Sequence, residues 1–138
     1  MAKHCLYNAV VTFNGVTLTD RATSISWIAG TGEGPGAAMS ELQDYSIPTT
    51  TNISSLTIEY YQDYAASNVY ITHKAIWVLG TTAVLTAKAD SAADSATNPN
   101  FTITVFIKSM PFINGSRGDV HKAPYTYGAA SAMTFDVA

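Results

Sequence analysis

Apolar and polar side chains alternate with a period of two along most of this chain. Tyr7, Ala9, Val11 and Phe13 alternate with Asn8, Val10 and Thr12, the pattern of a strand with one buried face. Asn14-Gly15 follows, and Asn-Gly between β-rich runs predicts a tight hairpin turn into residues 16–19. Asp20-Arg21 reads as a further turn. Residues 22–28 predict a strand with Ile25 and Trp27 on one face and Ser24 and Ser26 on the other. Residues 50–61 predict a long strand, with Ser54, Leu56, Ile58 and Tyr60 opposite Ser55, Thr57 and Glu59. Residues 81–89, 101–107, 119–127 and 132–137 complete the set. The alternation is cleanest where Phe101, Ile103, Val105 and Ile107 are interleaved with Thr102, Thr104 and Phe106.

One segment has the helical period. Ala66, Val69, Tyr70, His73, Ile76 and Trp77 recur at spacings of three and four, which predicts a helix within residues 64–79. Asp63 is the expected N-cap and Gly80 the expected stop. Val69, Ile71 and Thr72 are β-branched and lower the intrinsic helix propensity, so two to four turns are expected. Seven or eight strands, one helix and mostly hairpin-length connections predict a mainly β fold. It is an antiparallel β-sandwich or partial barrel with one flanking α-helix, in a single domain spanning residues 1–138.

Residues 29–48, AGTGEGPGAAMSELQDYSIP, break the pattern. Gly30, Gly32, Gly34 and Gly36 fall within seven residues, and the segment reads as a long loop with a short helical turn in residues 37–45. Structureless loops beyond ~12–15 residues are uncommon in compact domains and are usually functional or disordered. The segment is therefore the first candidate site, reaching for a substrate, a partner or another copy of the chain: Gly30, Gly32, Glu33 and Gly34 as its pliable part, and Met39, Leu42, Tyr45 and Ile47 as its apolar anchors. A phosphate cradle does not fit. Pro35 removes a backbone donor, Glu33 repels phosphate, and no Gly-Lys-Ser/Thr is present. A second candidate set lies in the polar loop of residues 90–100, with Asn98 and Pro99, and in the Asn114-Gly115-Ser116-Arg117-Gly118-Asp119 turn region, with Gly115, Gly118 and Asp119.

Charge narrows the function classes. Charged residues are 12% of the 138 residues, against ~25% in typical domains. Ser, Thr and Ala replace them, which fits a surface covered by neighbours or a protein working outside the cytoplasm. The net charge is −3, and Lys3, Arg21, Lys74, Lys88, Lys108, Arg117 and Lys122 are scattered. That argues against gripping nucleic acid, which takes clustered Lys and Arg to displace counterions, and against a polybasic membrane patch. Cys5 alone cannot form an internal disulfide. No apolar run has the length of a signal peptide core or a membrane span, so synthesis in the cytoplasm without secretion is expected. The three Asn-x-Ser/Thr sequons, at Asn52, Asn100 and Asn114, then read as chance.

Chemistry is thinly represented. His4, His73 and His121 lack metal-site spacing, there is no Cys-x-x-Cys, and no Gly-x-Ser-x-Gly elbow occurs. No metal, cofactor or catalytic residue is expected, and the chain reads as a non-enzyme. Arg117-Gly118-Asp119 is read as turn chemistry rather than an adhesion tripeptide. The eight tyrosines and two tryptophans suit a core, a protein interface or a glycan-binding face equally well.

The order of these pieces carries a resemblance. A hairpin start, FNGVTL, leads into the Gly-rich stretch. A strand ending in aromatics follows, then a helix closing in WVLG and a TAVLTAKAD strand. Asn98-Pro99-Asn100-Phe101 opens the strongest strand, Gly115-Ser-Arg-Gly118-Asp119 opens the next, and Gly128 precedes the last. Over nearly its whole length the chain resembles the major tail (tube) proteins of long-tailed bacteriophages. The resemblance implies a sandwich with a flanking helix, six copies of which form a ring with their inner strands joined around a lumen. Rings would stack into a tube, with other tail proteins as partners, the virion tail as location and DNA as non-specific cargo. The long loop would reach the adjacent ring or subunit, and the lumen would be acidic, as a net −3 permits. The family's additional C-terminal immunoglobulin-like domain is not expected, so the chain would be the minimal form. The alternatives are a tail-terminator or capsid decoration protein, or a carbohydrate-binding β-sandwich module.

Overall fold

A computed structural model describes residues 8–136. Tyr7, which opens the first expected strand, lies outside the described residues, as do Lys3, His4, Cys5 and Val137. The Asn-Gly turn forms as expected. Asn14 has φ 50° and Gly15 φ 80°, and they join β1 (Val10–Phe13) to β2 (Val16–Thr17) with Phe13 opposite Val16. Two consecutive positive φ values are the type I′ geometry whose twist matches the flanking strands.

The remaining elements are β3 (Ala22–Pro35), β4 (Ser46–Tyr61), α1 (Val69–Leu79), β5 (Ala83–Lys88), β6 (Asn100–Ser109), β7 (Lys122–Ala129) and β8 (Thr134–Asp136). All strand pairs are antiparallel, in the order β2-β1-β5-β6-β7-β4-β3, and β8 continues beside β6 beyond the end of β7. The sheet curls so that its two ends approach. The Leu18 N–H bonds Val11 O at 3.0 Å and the Ala22 N–H bonds Leu18 O at 3.2 Å, which brings the start of β3 beside β1. No ladder joins β1 to β3 there, so the sheet is a partial barrel that does not close.

The inward rows are apolar: Val11 and Phe13, Leu56, Ile58 and Tyr60, Leu85, Ile103 and Val105, Tyr125 and Tyr127. The outward face carries a row of hydroxyls. Thr17, Thr12, Thr86, Thr102 and Thr134 stand directly opposite one another across β2, β1, β5, β6 and β8. Threonine fits a pleated, half-exposed surface and pairs favourably across strands. This row accounts for a surface with so little charge.

α1 closes the concave side, burying Val69, Thr72, His73 and Ile76. It begins at Val69, later than the pattern predicts, and Asp63 is not its N-cap. The Asp63 carboxylate accepts the Ala65 N–H at 2.9 Å and the Arg21 Nε–H at 3.0 Å, contacts that hold it below the usual carboxylate range. Ser67 has φ 60°, which no helix tolerates, so the helix starts after it. Gly80 ends α1 as expected. Its N–H reaches Trp77 O and the Thr81 N–H reaches Ile76 O, a Schellman pair.

His73 is fully buried under the sheet, stacked on Phe13 with ring centroids 4.2 Å apart and planes 7° apart, and 4.2 Å from the Tyr125 ring. Its Nδ1 lies 2.7 Å from Val69 O, which can only accept, so Nδ1 carries the proton. Nε2 then accepts from the Tyr127 hydroxyl at 2.6 Å, and Tyr127 Oη accepts from Tyr60 Oη at 3.1 Å. Burial pushes the histidine down from 6.5 to about 4 and both tyrosines well up, so the network is neutral.

The unfolded chain takes up this proton near pH 6.5, and the folded chain only near pH 4. Stability contributed by neutral His73 is thus full above pH 6.5 and is lost as the pH falls towards 4. The gap corresponds to about 3 kcal/mol. The denaturation midpoint of the protein is expected to fall between pH 7 and pH 4.5, and to fall less steeply in His73→Phe. Parallel pH profiles for the two proteins would assign the acid sensitivity elsewhere.

Candidate functional site

The stretch that reads as a long loop is a β-hairpin arm. Gly30, Gly32, Glu33 and Gly34 lie on β3, and Ile47 and Pro48 on β4, with Gly30 opposite Asn52, Thr31 opposite Thr51, Glu33 opposite Pro48 and Gly34 opposite Ile47. Only residues 36–45 form the loop. The Gly36 N–H to Tyr45 O bond of 3.0 Å closes the ribbon. At the tip the Ala38 N–H donates to the Glu41 carboxylate at 2.7 Å, and the Glu41 N–H to Ala38 O at 3.0 Å, a single turn in place of the expected helical turn.

The reason for the correction lies in what the glycines do. None of Gly30, Gly32, Gly34 and Gly36 has a positive φ. They are not turn residues, and their spacing of two is itself a strand period. They make room for side chains of Tyr45 and of β4 that fold across the ribbon. A Cβ on Gly36 would sit 2.3 Å from the Tyr45 ring, and one on Gly32 would sit 2.7 Å from Thr49 Oγ1. Register shifts at Ile28/Ala29 and Thr31/Glu33 are bulges, which raise the local twist.

The arm leaves the body where β4 parts from β7. Those strands pair only over Thr57–Tyr61 of β4, and β3 pairs with β4 alone, so among the described residues the far edge of residues 46–56 of β4 and the outer edge of β3 carry no strand partner. Met39 and Leu42 at the tip are wholly exposed, at 107% each, while Tyr45 and Ile47 are half-exposed because they cover Gly36. In the wedge between arm and body lies an apolar groove of about 170 Å³, bounded by Trp27, Ile28 and Ile53 on one side and Phe101, Met133 and Phe135 on the other.

The second set of candidate residues is not gathered at the arm. Asn98 is buried and donates from Nδ2 to Asp90 O at 3.1 Å and Ala92 O at 3.0 Å, pinning its own loop, while Pro99 beside it is half-buried. Lys88 adds an ion pair to Asp94 at 3.1 Å. Gly115, Gly118 and Asp119 sit in the connection of residues 110–121, at the far end of β6 from Asn98, about 30 Å away at the rise of a strand. Asp119 precedes β7 rather than opening it, and its N–H bonds Ser116 O at 3.0 Å. The alternation left two things unmarked: His121, whose Nε2 accepts the Asn114 N–H at 2.8 Å, and the exposed Phe112 and Ile113. The length of this connection was the available signal. Among the described residues no three of His, Cys, Asp and Glu come together as a metal-binding group.

Gly36→Val puts methyl groups where the Tyr45 ring lies. Amide hydrogen exchange at Gly36 is expected to accelerate, while exchange at Ile58 and Tyr125 stays at the wild-type rate. Unchanged exchange at Gly36 would mean that the close approach does not hold the ribbon together.

No family model and no curated protein sequence matches the chain. Solved structures are similar to it, among them the following two. A type VI secretion system effector from Yersinia pestis aligns at a TM-score of 0.48 and 11% identity, covering 88% of this chain and 82% of that one. A chain of the anti-feeding prophage (AFP) baseplate, solved by cryo-EM with 6-fold symmetrisation, aligns at a TM-score of 0.55 and 10% identity, covering 99% of this chain and 98% of that one. At that identity the baseplate likeness establishes a shared fold over nearly the full length of both chains.

Proposed function

We propose that this protein is a structural component of a phage-type tail. In this reading it assembles with copies of itself into stacked hexameric rings, forming a tube through which DNA passes as non-specific cargo. The observation that carries the reading is the arm. A two-stranded ribbon with open edges, apolar residues at its tip and no core of its own has nothing to pack its tip against among the described residues. Isolated two-stranded hairpins are marginal in water, and open edges invite pairing with another chain. Contact with a second copy answers both. The partial barrel has the same character, since its strands end at edges that a neighbouring sheet can extend. Sharing a fold with a baseplate chain is consistent with this reading, and so is a surface that replaces charge with hydroxyls. The tail would then be where the protein works, with other tail proteins as its further partners.

A ring of fixed size at the end of a tail is the second reading, and the neighbour's place in a baseplate favours it. Electron microscopy of the purified protein separates the two: tubes of indefinite length support the tube, and rings that never stack support the end component. Ala29 pairs with Ile53, so replacing residues 30–52 by Asn-Gly leaves a two-residue hairpin on an intact core. That variant is expected to fold as a monomer and to form neither rings nor tubes. Normal polymerisation without the arm would refute the arm's role.

A further inference from the structure

The acidic excess of this chain resides entirely on the arm. Outside residues 29–48 the seven Lys and Arg are matched by seven Asp and Glu, and Glu33, Glu41 and Asp44 supply the net −3. Among the described residues none of the three takes part in an ion pair. Beside them stand the wholly exposed Met39 and Leu42.

A surface of opposite character lies at the other end of β4. Lys122 Nζ sits 5.8 Å from the centroid of the Tyr61 ring, which ends that strand. The adjoining connection of residues 110–121 carries Arg117 and exposes Phe112 and Ile113, the latter at 84%. It is held in place from the body. Tyr64 Oη donates to Phe112 O at 2.6 Å, and Gln62 Nε2 to Pro111 O at 3.1 Å. Trp77, half-exposed on α1, meets Phe112 edge-on at 5.6 Å, and Lys74 lies one turn before it. Arg21 and Lys88 are engaged with carboxylates within the chain, whereas Lys74, Arg117 and Lys122 are in no ion pair among the described residues. Asp119 is the single acid of this connection. The result is an ordered, basic, aromatic surface, and aromatic and arginine side chains are the enriched residues of interface cores.

We infer that the arm tip of one copy docks on this patch of the next copy, an inference that rests on the self-assembly reading above. Met39 and Leu42 meet Trp77, Phe112 and Ile113, and the three arm carboxylates face Lys74, Arg117 and Lys122. The two surfaces lie at opposite ends of a strand that runs from Ser46 to Tyr61, about 50 Å at the rise of a strand. Made in one direction, a contact between different patches at opposite ends is heterologous and propagates from copy to copy, as stacked assembly requires.

The test is a charge swap in the full-length protein, read by sedimentation and electron microscopy at low salt. Two triple variants are needed, Glu33→Lys with Glu41→Lys and Asp44→Lys, and Lys74→Glu with Arg117→Glu and Lys122→Glu. Each alone is expected to lose assembly about tenfold or more. An equimolar mixture is expected to recover it, because arm and patch are then complementary in alternating copies. Recovery also shows that both variants fold. Wild-type assembly should weaken as salt shortens the screening length from about 10 Å at 0.1 M to about 3 Å at 1 M. Wild-type-like assembly by either variant alone, or a mixture that stays dissociated, would overturn the docking and leave self-assembly standing. A wild-type protein that never assembles would overturn both. Should either variant fail to fold, Met39→Ser with Leu42→Ser decides instead: a loss of about tenfold supports the docking, and unchanged assembly overturns it.

Discussion

Backbone groups in a sheet must find partners, and β4 is where this fold divides them between itself and its surroundings. Over its last five residues β4 is paired on both sides, its inward side chains are buried, and the strand is part of a core. Over the preceding eleven it is paired with β3 alone. Everything peculiar to the molecule follows from that division. The body is a curled sheet plugged by a helix, the arm is a ribbon without a core, and the wedge between them is where the strands part. A strand of 16 residues is far longer than a fold of this size requires, since strands in globular proteins are usually about 5–6 residues long.

The body is held by an aromatic cluster with one polar thread through it. Phe13, Tyr60, Tyr125 and Tyr127 surround His73, and the hydroxyls and the imidazole satisfy one another in a fixed direction from Tyr60 to Val69 O. A buried polar group without a partner would cost ~1–3 kcal/mol. Here each donor has an acceptor, and the chain of bonds ties α1 to β4 and β7. The helix is therefore fixed at one register against the sheet, and with it the exposed Trp77 and the surface beside it.

The parts of the fold that were legible in the sequence are those where one local signal and the tertiary structure agree. Asn14-Gly15 dictated its turn because both residues need a positive φ. The clean alternation from Phe101 to Ile107 gave β6 because one of its faces is buried. Gly80 stopped α1 where expected. The helix starts later than the pattern predicts because Ser67 takes a positive φ, while Asp63 accepts the Ala65 N–H and the Nε–H of Arg21, 42 residues away. The arm was hidden for a subtler reason. Hydrophobic periodicity reports buried apolar side chains, and the half-buried face of β3 in the arm is lined by glycines, so it has no such periodicity to show. Its glycines were read as flexible, whereas their spacing of two is the trace of cross-strand packing. Met39 and Leu42 were visible as apolar residues, but their setting on a defined tip was not.

The arm also constrains how the protein can change over time. In a paired ribbon an insertion on one strand must be matched on the other or taken up in a bulge, as at Thr31/Glu33, or the register slips and the glycine face turns over. Between bulges, lengths therefore come in steps of two residues per strand, roughly 7 Å of reach. Each step would also need a small residue on β3 opposite a side chain folding over from β4. If the arm sets the distance to a neighbour, that distance is quantised, and related proteins should differ in it by whole pleats rather than by arbitrary amounts.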